Sequence, residues 1–487
     1  MERDTAALVD NTTYLHQNEV RSYESVEALP GNDSGPRKLP QYAAAISATL
    51  AALGAGIILG WTSPIKSEIE NGEYNNITVN DNQMGWIGSL TNVGALLACI
   101  PTGFVCDIIG RKTTLLLLLL PFTLGWVLII FAMNLAMLYS GRFIMGIAIG
   151  ACCVAAPMYT SEVSHKDIRG SIGSYFQLMV TVGVLYAYFF GAFMTPLHYT
   201  IICASELFLF ALTFAFQPES PLYYLKSSQY EKARMSLQKL RGSHYNVDEE
   251  LNEMAQSLQE GEASVTLLHA FQRRACKKSV LISLSLMFFQ QFSGINAIIF
   301  YTSDIFINAG VKLNPRYCSI IVGACQVVTT FASSLIVDKL GRRLLLITSA
   351  LLMSISMILL ATFFVIKDHK LVPDDTLKTF SFAPIIFLVL YIIAFSLGFG
   401  PIPWLLNGEI FAPEIKAVAS SVAGSFNWFL AFIITKFYLQ LDKSFGDDNM
   451  FYTFGFVLLF AASFVWLIVP ETKGKTMAEI QDELQHY

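Results

Sequence analysis

Residues 103–112 read GFVCDIIGRK, and residues 338–343 repeat the second part of that pattern as DKLGRR. Each stretch follows a long apolar segment and carries an acid three residues before a Gly-Arg pair. The glycine permits a tight turn between two helices, which places a carboxylate at the end of one helix and basic groups at the start of the next. Because the same charged turn occurs twice, the sequence predicts two structurally related halves.

Two further pairs of motifs recur in the same order. Residues 162–170, from Glu to Arg-Gly, correspond to residues 409–416, from Glu to Lys; Pro-Glu-Ser-Pro at 218–221 corresponds to Pro-Glu-Thr-Lys at 470–473. The members of each pair lie six apolar segments apart. This spacing indicates duplication of a six-helix unit, which is typical of transporters whose halves rock about a site near the middle of the membrane.

The composition of the chain requires a membrane. Of its 487 residues, 54% are hydrophobic and 14% are charged, against about 25% charged residues in an average soluble domain. A helix that crosses roughly 30 Å of hydrocarbon at about 1.5 Å per residue needs about 20 apolar residues. The sequence therefore predicts an all-α membrane protein. Its twelve predicted spans lie at residues 41–61, 84–106, 113–133, 139–159, 171–193, 198–217, 279–301, 317–337, 344–366, 381–405, 417–438 and 450–469.

A polar segment at residues 218–278 divides these spans six and six. It is rich in Lys, Glu, Gln and Ser and cannot enter hydrocarbon. Within it, residues 229–240 and 248–258 have the periodicity of amphipathic helices. We interpret the segment as an inner linker that braces the helix ends or, alternatively, docks a partner. The predicted organisation is an N-terminal tail at 1–40, a first half at 41–217, the linker at 218–278, a second half at 279–469 and a C-terminal tail at 470–487.

The distribution of basic residues predicts the orientation of the chain. The first forty residues contain no apolar core of a signal peptide, so the N-terminus is expected to stay in the cytoplasm. Twelve spans return the C-terminus to the same side. Most of the 32 Lys and Arg residues fall in segments on this inner side, as the positive-inside rule requires. We expect a monomeric, multi-pass protein of the plasma membrane with both termini in the cytoplasm.

Other features narrow the kinds of site to expect. The net charge of −5 is sorted by membrane side, and no basic patch typical of nucleic-acid binding is present. The eight cysteines lie almost entirely within spans, without Cys-x-x-Cys spacing, and are interpreted as packing residues rather than metal ligands. We expect no metal and no cofactor. Of the sequons at Asn11, Asn32 and Asn76, only Asn76 falls outside the cytoplasmic tail, so it is the candidate for N-glycosylation.

The charged turns predict a gating network at the inner helix ends. We expect their basic residues to pair across the bundle with Glu162 and Glu409 and to hold the inner ends closed. Single pairs at partly wet helix ends contribute about 0 to 1 kcal/mol, so a network of them can break and re-form. The alternative is that the basic residues only anchor the inner loops. The predicted network consists of Asp107, Arg111, Glu162, Arg169, Asp338, Arg342, Arg343 and Glu409.

The seventh span carries three amides, Gln290, Gln291 and Asn296. A planar amide offers a donor and an acceptor together, which suits a ligand with adjacent hydroxyl groups. An amide without a partner is costly in hydrocarbon, so this group predicts an aqueous cavity or a substrate beside the span. Hydrogen bonds between helices are the alternative. On a continuous helix, Gln290 and Asn296 converge on one side while Gln291 flanks them.

Several motifs in the spans resemble those of one transporter family. They are Gly-Arg-x3-Gly at 141–146, Pro-x-Tyr-x2-Glu at 157–162, Gln-Leu at 177–178, the amide run at 290–296, Gly-Pro-Ile-Pro-Trp at 400–404 and Asn-Trp at 427–428. Together with the charged turns, they make roughly residues 40–480 similar to the sugar porters of the major facilitator superfamily, in particular to the facilitated trehalose transporter branch.

This resemblance implies the major facilitator fold and facilitative transport of sugar by alternating access, without enzymatic activity. The implied substrate is trehalose or a hexose such as glucose. Ala431 and Ser396 stand where glucose carriers often have an Asn and an acid, which widens the site and is compatible with a disaccharide. The implied sugar-binding residues are Gln177, Gln290, Gln291, Asn296, Gln326, Phe395, Trp404 and Asn427.

The tenth span is interrupted by Gly400, Pro401 and Pro403, directly before Trp404. Proline lacks a backbone N–H group and breaks the hydrogen-bond ladder of a helix. We interpret this segment as a hinge and as the lid of an inner gate. A static kink is the alternative.

The first span distinguishes uniport from proton coupling. Proton-driven members of the family carry an Asp after Gly-Tyr, whereas residues 60–62 read Gly-Trp-Thr, and a hydroxyl cannot exchange a proton near neutral pH. Uniport is therefore predicted. Glu206 in the sixth span opposes this prediction, because an ionisable group inside a membrane is a functional candidate. It could pair with Arg142, line water or couple protons. A proton-coupled symporter and a non-transporting sugar receptor remain the alternatives.

Overall fold

The computed structural model describes residues 35–262, 273–373, 377, 379–475 and 477–486, and these residues form helices without β-strands. Twelve of the described helical segments are long and apolar enough to cross a membrane, which confirms the predicted fold. They are span 1, Leu39–Glu70; span 2, Asp81–Ile109; span 3, Arg111–Ile130; span 4, Leu135–Val163; span 5, Arg169–Phe193; span 6, Pro196–Phe214; span 7, Arg274–Ala309; span 8, Pro315–Val337; span 9, Arg342–Asp368; span 10, Ala383–Ile410; span 11, Val418–Phe445; and span 12, Asp447–Ile468. Most of the predicted N-terminal tail, with Asn11 and Asn32, lies outside the described residues.

Spans 1 and 7 are longer than predicted. Span 1 continues as the helix Thr62–Glu70, and span 7 continues to Ala309, although both continuations contain charged residues. The charges are compatible with this packing because Lys66 pairs with Asp304, with 3.0 Å between Nζ and Oδ1. The apolar pattern ends before these residues, so a prediction based on apolar runs stops too early.

The segment between spans 6 and 7 contains three described helices. They are Pro221–Lys226, Tyr230–Arg241 and Val247–Glu262. The second and third correspond to the two predicted amphipathic helices, and they bury their apolar faces against each other. Arg241 ties them to the first half, because its Nη1 donates to the carbonyl of Val163 at the end of span 4 (2.8 Å) while its Nη2 pairs with Glu250 (2.6 Å). A last helix, Met477–His486, follows span 12.

The two halves, spans 1–6 and spans 7–12, meet mainly at one end of the bundle. We call the end that carries the linker helices the linker end, and the end with the loop at residues 71–80 the opposite end. Ion pairs between the halves at the opposite end are Lys66–Asp304, Glu68–Arg316 and Asp81–Lys443. Farther along the bundle, Asn92 donates to the Thr435 hydroxyl (3.2 Å), and the Tyr188 hydroxyl lies 3.1 Å from that of Thr302. The described polar contacts between the halves lie in these two regions, so the bundle is closed at the opposite end.

Spans 2 and 4 approach each other closely at glycines. A β-carbon built on Gly94 lies 2.2 Å from the carbonyl oxygen of Phe143, and one built on Gly146 lies 2.1 Å from that of Thr91. Small residues allow helix backbones to meet in a membrane, where association depends on packing rather than on the exclusion of water. This contact therefore holds the core of the first half together.

We predict that Gly146→Ala destabilises the protein, because the added methyl group overlaps with the backbone of span 2. Overpacking of this kind costs about 1–3 kcal/mol, so the melting temperature of the detergent-purified protein is expected to fall by several degrees. Gly103→Ala is the matched control, since a β-carbon at Gly103 on span 2 meets no atom within 4 Å. Equal melting temperatures for the two variants would contradict this packing.

Candidate functional site

Four of the predicted sugar-binding amides form one chain of hydrogen bonds. Asn296 Nδ2 donates to Gln291 Oε1 (2.6 Å), and Gln291 Nε2 donates to Asn427 Oδ1 (2.9 Å). Asn427 Nδ2 in turn donates to Gln290 Oε1 (2.8 Å). We call these four residues the amide cluster. It joins span 7 to span 11, and each of its bonds uses groups that a sugar hydroxyl can also bind.

The geometry of span 7 differs from the prediction for a continuous helix. Asn296 contacts Gln291 rather than converging with Gln290. The reason is a break at Gly294, whose φ of 87° and ψ of 7° are left-handed. Glycine adopts this conformation without a steric penalty. The break shifts the helical register, so the expected convergence of Gln290 and Asn296 was wrong.

Gln290 also connects the amide cluster to the interruption of span 10. This span consists of two helices, Ala383–Leu397 and Ile402–Ile410, separated by four residues. Gln290 Nε2 donates to the carbonyl oxygens of Phe399 (2.7 Å) and Gly400 (3.0 Å). The interruption predicted from the glycines and prolines is thus present, and it contacts the amide cluster directly. Its movement as a hinge stays a prediction.

Pro401 and Pro403 stand where the second helix of span 10 begins. The first turn of a helix leaves its N–H groups without helical partners, so proline removes no hydrogen bond at these positions. The prolines therefore end the break and start the new helix. Predicted hinge residues Gly400, Pro401 and Pro403 all lie within or directly after the break.

The two predicted aromatic residues lie on opposite sides of this break. Phe395 is buried and packs on Gly400, where a β-carbon would lie 3.0 Å from the ring. Trp404 packs beside Gly424, 3.6 Å from a β-carbon built there, and Gly424 precedes Asn427 by three residues on span 11. The Trp404 ring therefore lies about one helical turn from the amide cluster.

Two predicted binding residues remain separate from the amide cluster in this structure. Gln326 on span 8 is buried, and Gln177 on span 5 is half-buried. Neither has a hydrogen bond to the cluster within the described residues. The sequence analysis also missed two polar residues that support the cluster: Ser293 Oγ donates to the carbonyl of Gln290 (2.6 Å), and Tyr391 Oη donates to that of Ser293 (3.0 Å). The only indication in the sequence that Tyr391 belongs to the site was its hydroxyl group within a run of aliphatic residues.

The predicted gating residues form ion pairs inside each half rather than between the halves. In the first half, Arg111 is buried and pairs with Glu162 and with Asp107, at 2.9 Å in both cases. In the second half, Arg342 pairs with Glu409, also at 2.9 Å. The expectation that these pairs cross the bundle is wrong for this structure, because the two halves meet at the opposite end.

The remaining members of the predicted network have other partners. Arg169 contacts only the carbonyl of Ser164, at 3.5 Å, among the described polar contacts. Arg343 donates to the carbonyl of Trp466 at the end of span 12. The side chain of Asp338 lies outside the described part of the chain.

Two acids that had no predicted role hold the charged turns in place. Glu219 accepts from the backbone N–H of Lys112 (2.8 Å), and Glu471 accepts from those of Arg342 (2.9 Å) and Arg343 (3.1 Å). A carboxylate at the start of a helix satisfies free N–H groups and interacts favourably with the helix dipole. The repeated Pro-Glu motifs after spans 6 and 12 thus make equivalent contacts, and the duplication extends to individual hydrogen bonds.

Comparisons with known proteins identify the family. The family model described as "Sugar (and other) transporter" matches residues 41–484. The chain belongs to the sugar transporter family. A facilitated trehalose transporter Tret1-2 homolog of Drosophila simulans is 36% identical over 447 residues, 91% of each protein. The facilitated trehalose transporter Tret1 of Apis mellifera ligustica is 36% identical over 444 residues, which cover 91% of this chain and 87% of that protein.

Solved structures of sugar transporters share the fold. The xylose transporter XylE from E. coli, in a partially occluded inward open conformation, has a TM-score of 0.75 at 23% identity and covers 90% of this chain and 99% of its own. The proton:xylose symporter XylE bound to 6-bromo-6-deoxy-D-glucose has a TM-score of 0.73 at 24% identity, with 91% and 100% covered. The predicted major facilitator fold is confirmed, and membership of a transporter family means that the chain is not an enzyme.

In this member of the sugar transporter family, Arg142 and Glu206 do not pair. Arg142 is fully buried and donates to the carbonyls of Ile58 and Ile87, at 2.9 Å each, and to the Thr62 hydroxyl at 3.1 Å. Glu206 Oε1 is buried without a hydrogen-bond partner in the described structure. Of the three alternatives for Glu206, pairing with Arg142 is therefore not observed.

We predict that Glu471→Gln lowers stability in a pH-dependent manner. Burial raises the pKa of Glu471, but backbone N–H groups of Lys473, Arg342 and Arg343 outweigh that effect and hold the pKa below its ordinary value. A lowered pKa means that the carboxylate stabilises the folded protein above the ordinary value of about 4.3, and that this contribution is lost as the pH falls through the lowered value.

The melting temperature of Glu471→Gln is therefore expected to lie below that of the wild type at neutral pH and to approach it in acid. Glu73→Gln, an exposed change at the opposite end, controls for the general effect of losing one acid. A deficit that is the same at every pH would mean that the charge of Glu471 is not what stabilises the turn.

Proposed function

We propose that this chain is a facilitative sugar transporter, a uniporter that carries trehalose or a hexose such as glucose by alternating access. The amide cluster is the observation that carries this proposal. Four amides meet in the interior of the second half, and three of them, Gln290, Gln291 and Asn427, are almost fully buried. Relatives named as facilitated trehalose transporters support trehalose as the first sugar to test.

The amide cluster suits a ligand that brings both donors and acceptors. Each sugar hydroxyl can replace one bond between two amides with two bonds to the ligand, so no amide loses a partner. Phe395 and Trp404 supply aromatic faces for the apolar side of a sugar ring. We assign Gln177 of the first half to the same site in a state where the two halves lie closer together, and we assign Gln326 of span 8 to it from within the second half.

Alternating access requires that the closed end of the bundle can open. Of the ion pairs at the opposite end, Asp81 with Lys443 is exposed, whereas Lys66 and Glu68 are buried and pair with half-buried partners. The exposed pair contributes about 0 to 1 kcal/mol, and water that enters as this end opens can solvate the charges of the other two pairs, so breaking all three is compatible with a transport cycle. With the linker end in the cytoplasm, this structure corresponds to an inward-facing state, and the interruption of span 10 acts as the hinge of the inner gate.

Uniport is supported by the surroundings of Arg142. Its described partners are two backbone carbonyls and the hydroxyl of Thr62, none of which exchanges a proton near neutral pH. The competing proposal is proton symport through Glu206, which is buried and has an unpartnered oxygen. A sugar receptor without transport is the second alternative, since binding at the amide cluster does not itself require movement.

We predict saturable uptake of radiolabelled trehalose or glucose into proteoliposomes, with a rate that does not depend on an imposed proton gradient. Gln290→Ala is expected to reduce uptake by about tenfold or more, because a buried amide group left without its partner costs about 1–3 kcal/mol. Gln217→Ala is the matched control: Gln217 follows the end of span 6, and its side-chain amide donates, among the described contacts, to the carbonyl of Thr213 in the last turn of that span.

The alternatives predict different results in the same assay. Accumulation driven by a proton gradient and abolished by Glu206→Gln would overturn uniport in favour of symport. Binding of trehalose or glucose without uptake would favour the receptor. Full activity of Gln290→Ala would remove the amide cluster from the sugar site.

We further propose that the protein is a monomer of the plasma membrane with both termini in the cytoplasm. Asn76 is then extracellular, exposed in the loop at residues 71–80, and available for glycosylation. In animal cells, glycosidase treatment is expected to increase the mobility of the wild type on a gel but not that of Asn76→Gln. A C-terminal epitope tag should be detected only after permeabilisation. Detection of the tag on intact cells would reverse the orientation.

A further inference from the structure

The break in span 10 rearranges the hydrogen bonds of its backbone. In a continuous helix, the N–H of Gly398 would donate to Ala394 and that of Phe399 to Phe395. Here Gly398 and Gly400 both donate to the carbonyl of Phe395, at 3.2 and 2.8 Å. The carbonyl of Ala394 and the N–H of Phe399 are thereby freed inside the bundle, where each needs another partner.

Ser349 on span 9 supplies both partners. Its hydroxyl donates to the carbonyl of Ala394 (2.7 Å) and accepts from the N–H of Phe399 (3.1 Å). The contact is close, since a β-carbon built on Gly398 lies only 2.4 Å from Ser349 Cβ. Glycine at 398 therefore allows a single buried serine to bridge the two sides of the break.

The carbonyls that follow the freed N–H group face the sugar site instead. Gln290 donates to the carbonyls of Phe399 and Gly400. The peptide groups around Phe399 are therefore held by Ser349 on span 9 and by Gln290 on span 7, while Ser333 on span 8 donates to the neighbouring carbonyl of Leu397 (3.2 Å). Only the second of these residues belongs to the amide cluster.

This difference gives the two contacts different behaviour during transport. If a sugar hydroxyl accepts the hydrogen bonds that the Gln290 amide donates, the carbonyls of Phe399 and Gly400 lose their donor. Among the described hydrogen bonds, none joins the hydroxyl of Ser349 to the amide cluster, so its bonds to Ala394 and Phe399 persist. Sugar binding then releases the second helix of span 10 while the first helix stays attached to span 9.

We propose that Ser349 is a positioning residue. It is the fixed anchor about which the second helix of span 10 moves when a bound sugar replaces the backbone carbonyls as hydrogen-bond acceptor of the Gln290 amide. The proposal rests on the proposed function, because it requires that the amide cluster binds the sugar. Ser349 itself does not touch the sugar. It acts through the backbone of residues 394–399.

The anchor is tested first without any substrate, by hydrogen–deuterium exchange of the purified full chain. Ser349→Ala is expected to accelerate exchange of the Phe399 amide about tenfold, since that N–H loses its partner. Ser354→Ala is the matched control: Ser354 is also a buried serine of span 9, and it donates at 2.7 Å to the carbonyl of Gly455 on span 12. Unchanged exchange in Ser349→Ala, or equal acceleration in the control, would overturn the anchor.

The role in transport is tested by separating sugar binding from turnover. In Ser349→Ala, the dissociation constant of trehalose or glucose is expected to stay within about twofold of the wild type, while the maximal rate of uptake falls about tenfold. Ser354→Ala is expected to keep both values. A parallel loss of binding and rate, or an unchanged rate, would contradict a positioning role.

A second variant and the substrate-free experiment distinguish a variant that does not fold, or a failure of the proposed function, from a failure of the anchor. Ser349→Cys preserves the shape of the side chain but bonds weakly, so it should reproduce the defect if Ser349→Ala does not fold. If the wild type neither binds nor carries these sugars, the proposed function fails, and the coupling to sugar fails with it. The exchange experiment still decides whether Ser349 anchors the break.

Discussion

Polar groups inside hydrocarbon must find partners within the protein, because no water is present to receive them. The interior of the second half follows from this constraint. Span 10 has two glycines and two prolines within residues 398–403, and the hydrogen bonds that it loses are replaced by Ser349 and Gln290. Gln290 also begins the chain of amides that reaches span 11. The break and the amide cluster are therefore one structure, since each satisfies polar groups of the other.

The two halves share their charged ends but not their interiors. Arg111 with Glu162 and Arg342 with Glu409 are equivalent pairs, and both lie within a single half. Rocking of the halves leaves such pairs intact, so they stiffen each half rather than lock the two together. The contacts that change between states are those that join the halves, and in this structure they lie toward the opposite end.

The sequence was sufficient to predict the twelve spans, the duplication and the interruption of span 10. Each of these features leaves a local pattern in the sequence: apolar runs, repeated motifs, or glycine and proline. It was not sufficient for contacts that depend on tertiary structure. The helical continuation at Lys66 was missed because its partner, Asp304, lies in another span. The predicted position of Asn296 relative to Gln290 was wrong because the left-handed conformation of Gly294 changes the helical register. Ser349 carries no local signal, since a buried serine in an apolar helix is common.

The proposed sugar site has residues in both halves, so its width depends on their separation. The residue types at 431 and 396 suggested a site enlarged for a disaccharide, yet Ala431 is fully buried and Ser396 is nearly so. Both side chains are thus enclosed by protein in this conformation. The amide cluster belongs entirely to the second half, whereas Gln177 belongs to the first. If the cluster and Gln177 bind the same sugar, as we propose, the separation of the halves sets how large a sugar fits between them, and selectivity is then coupled to the conformational state.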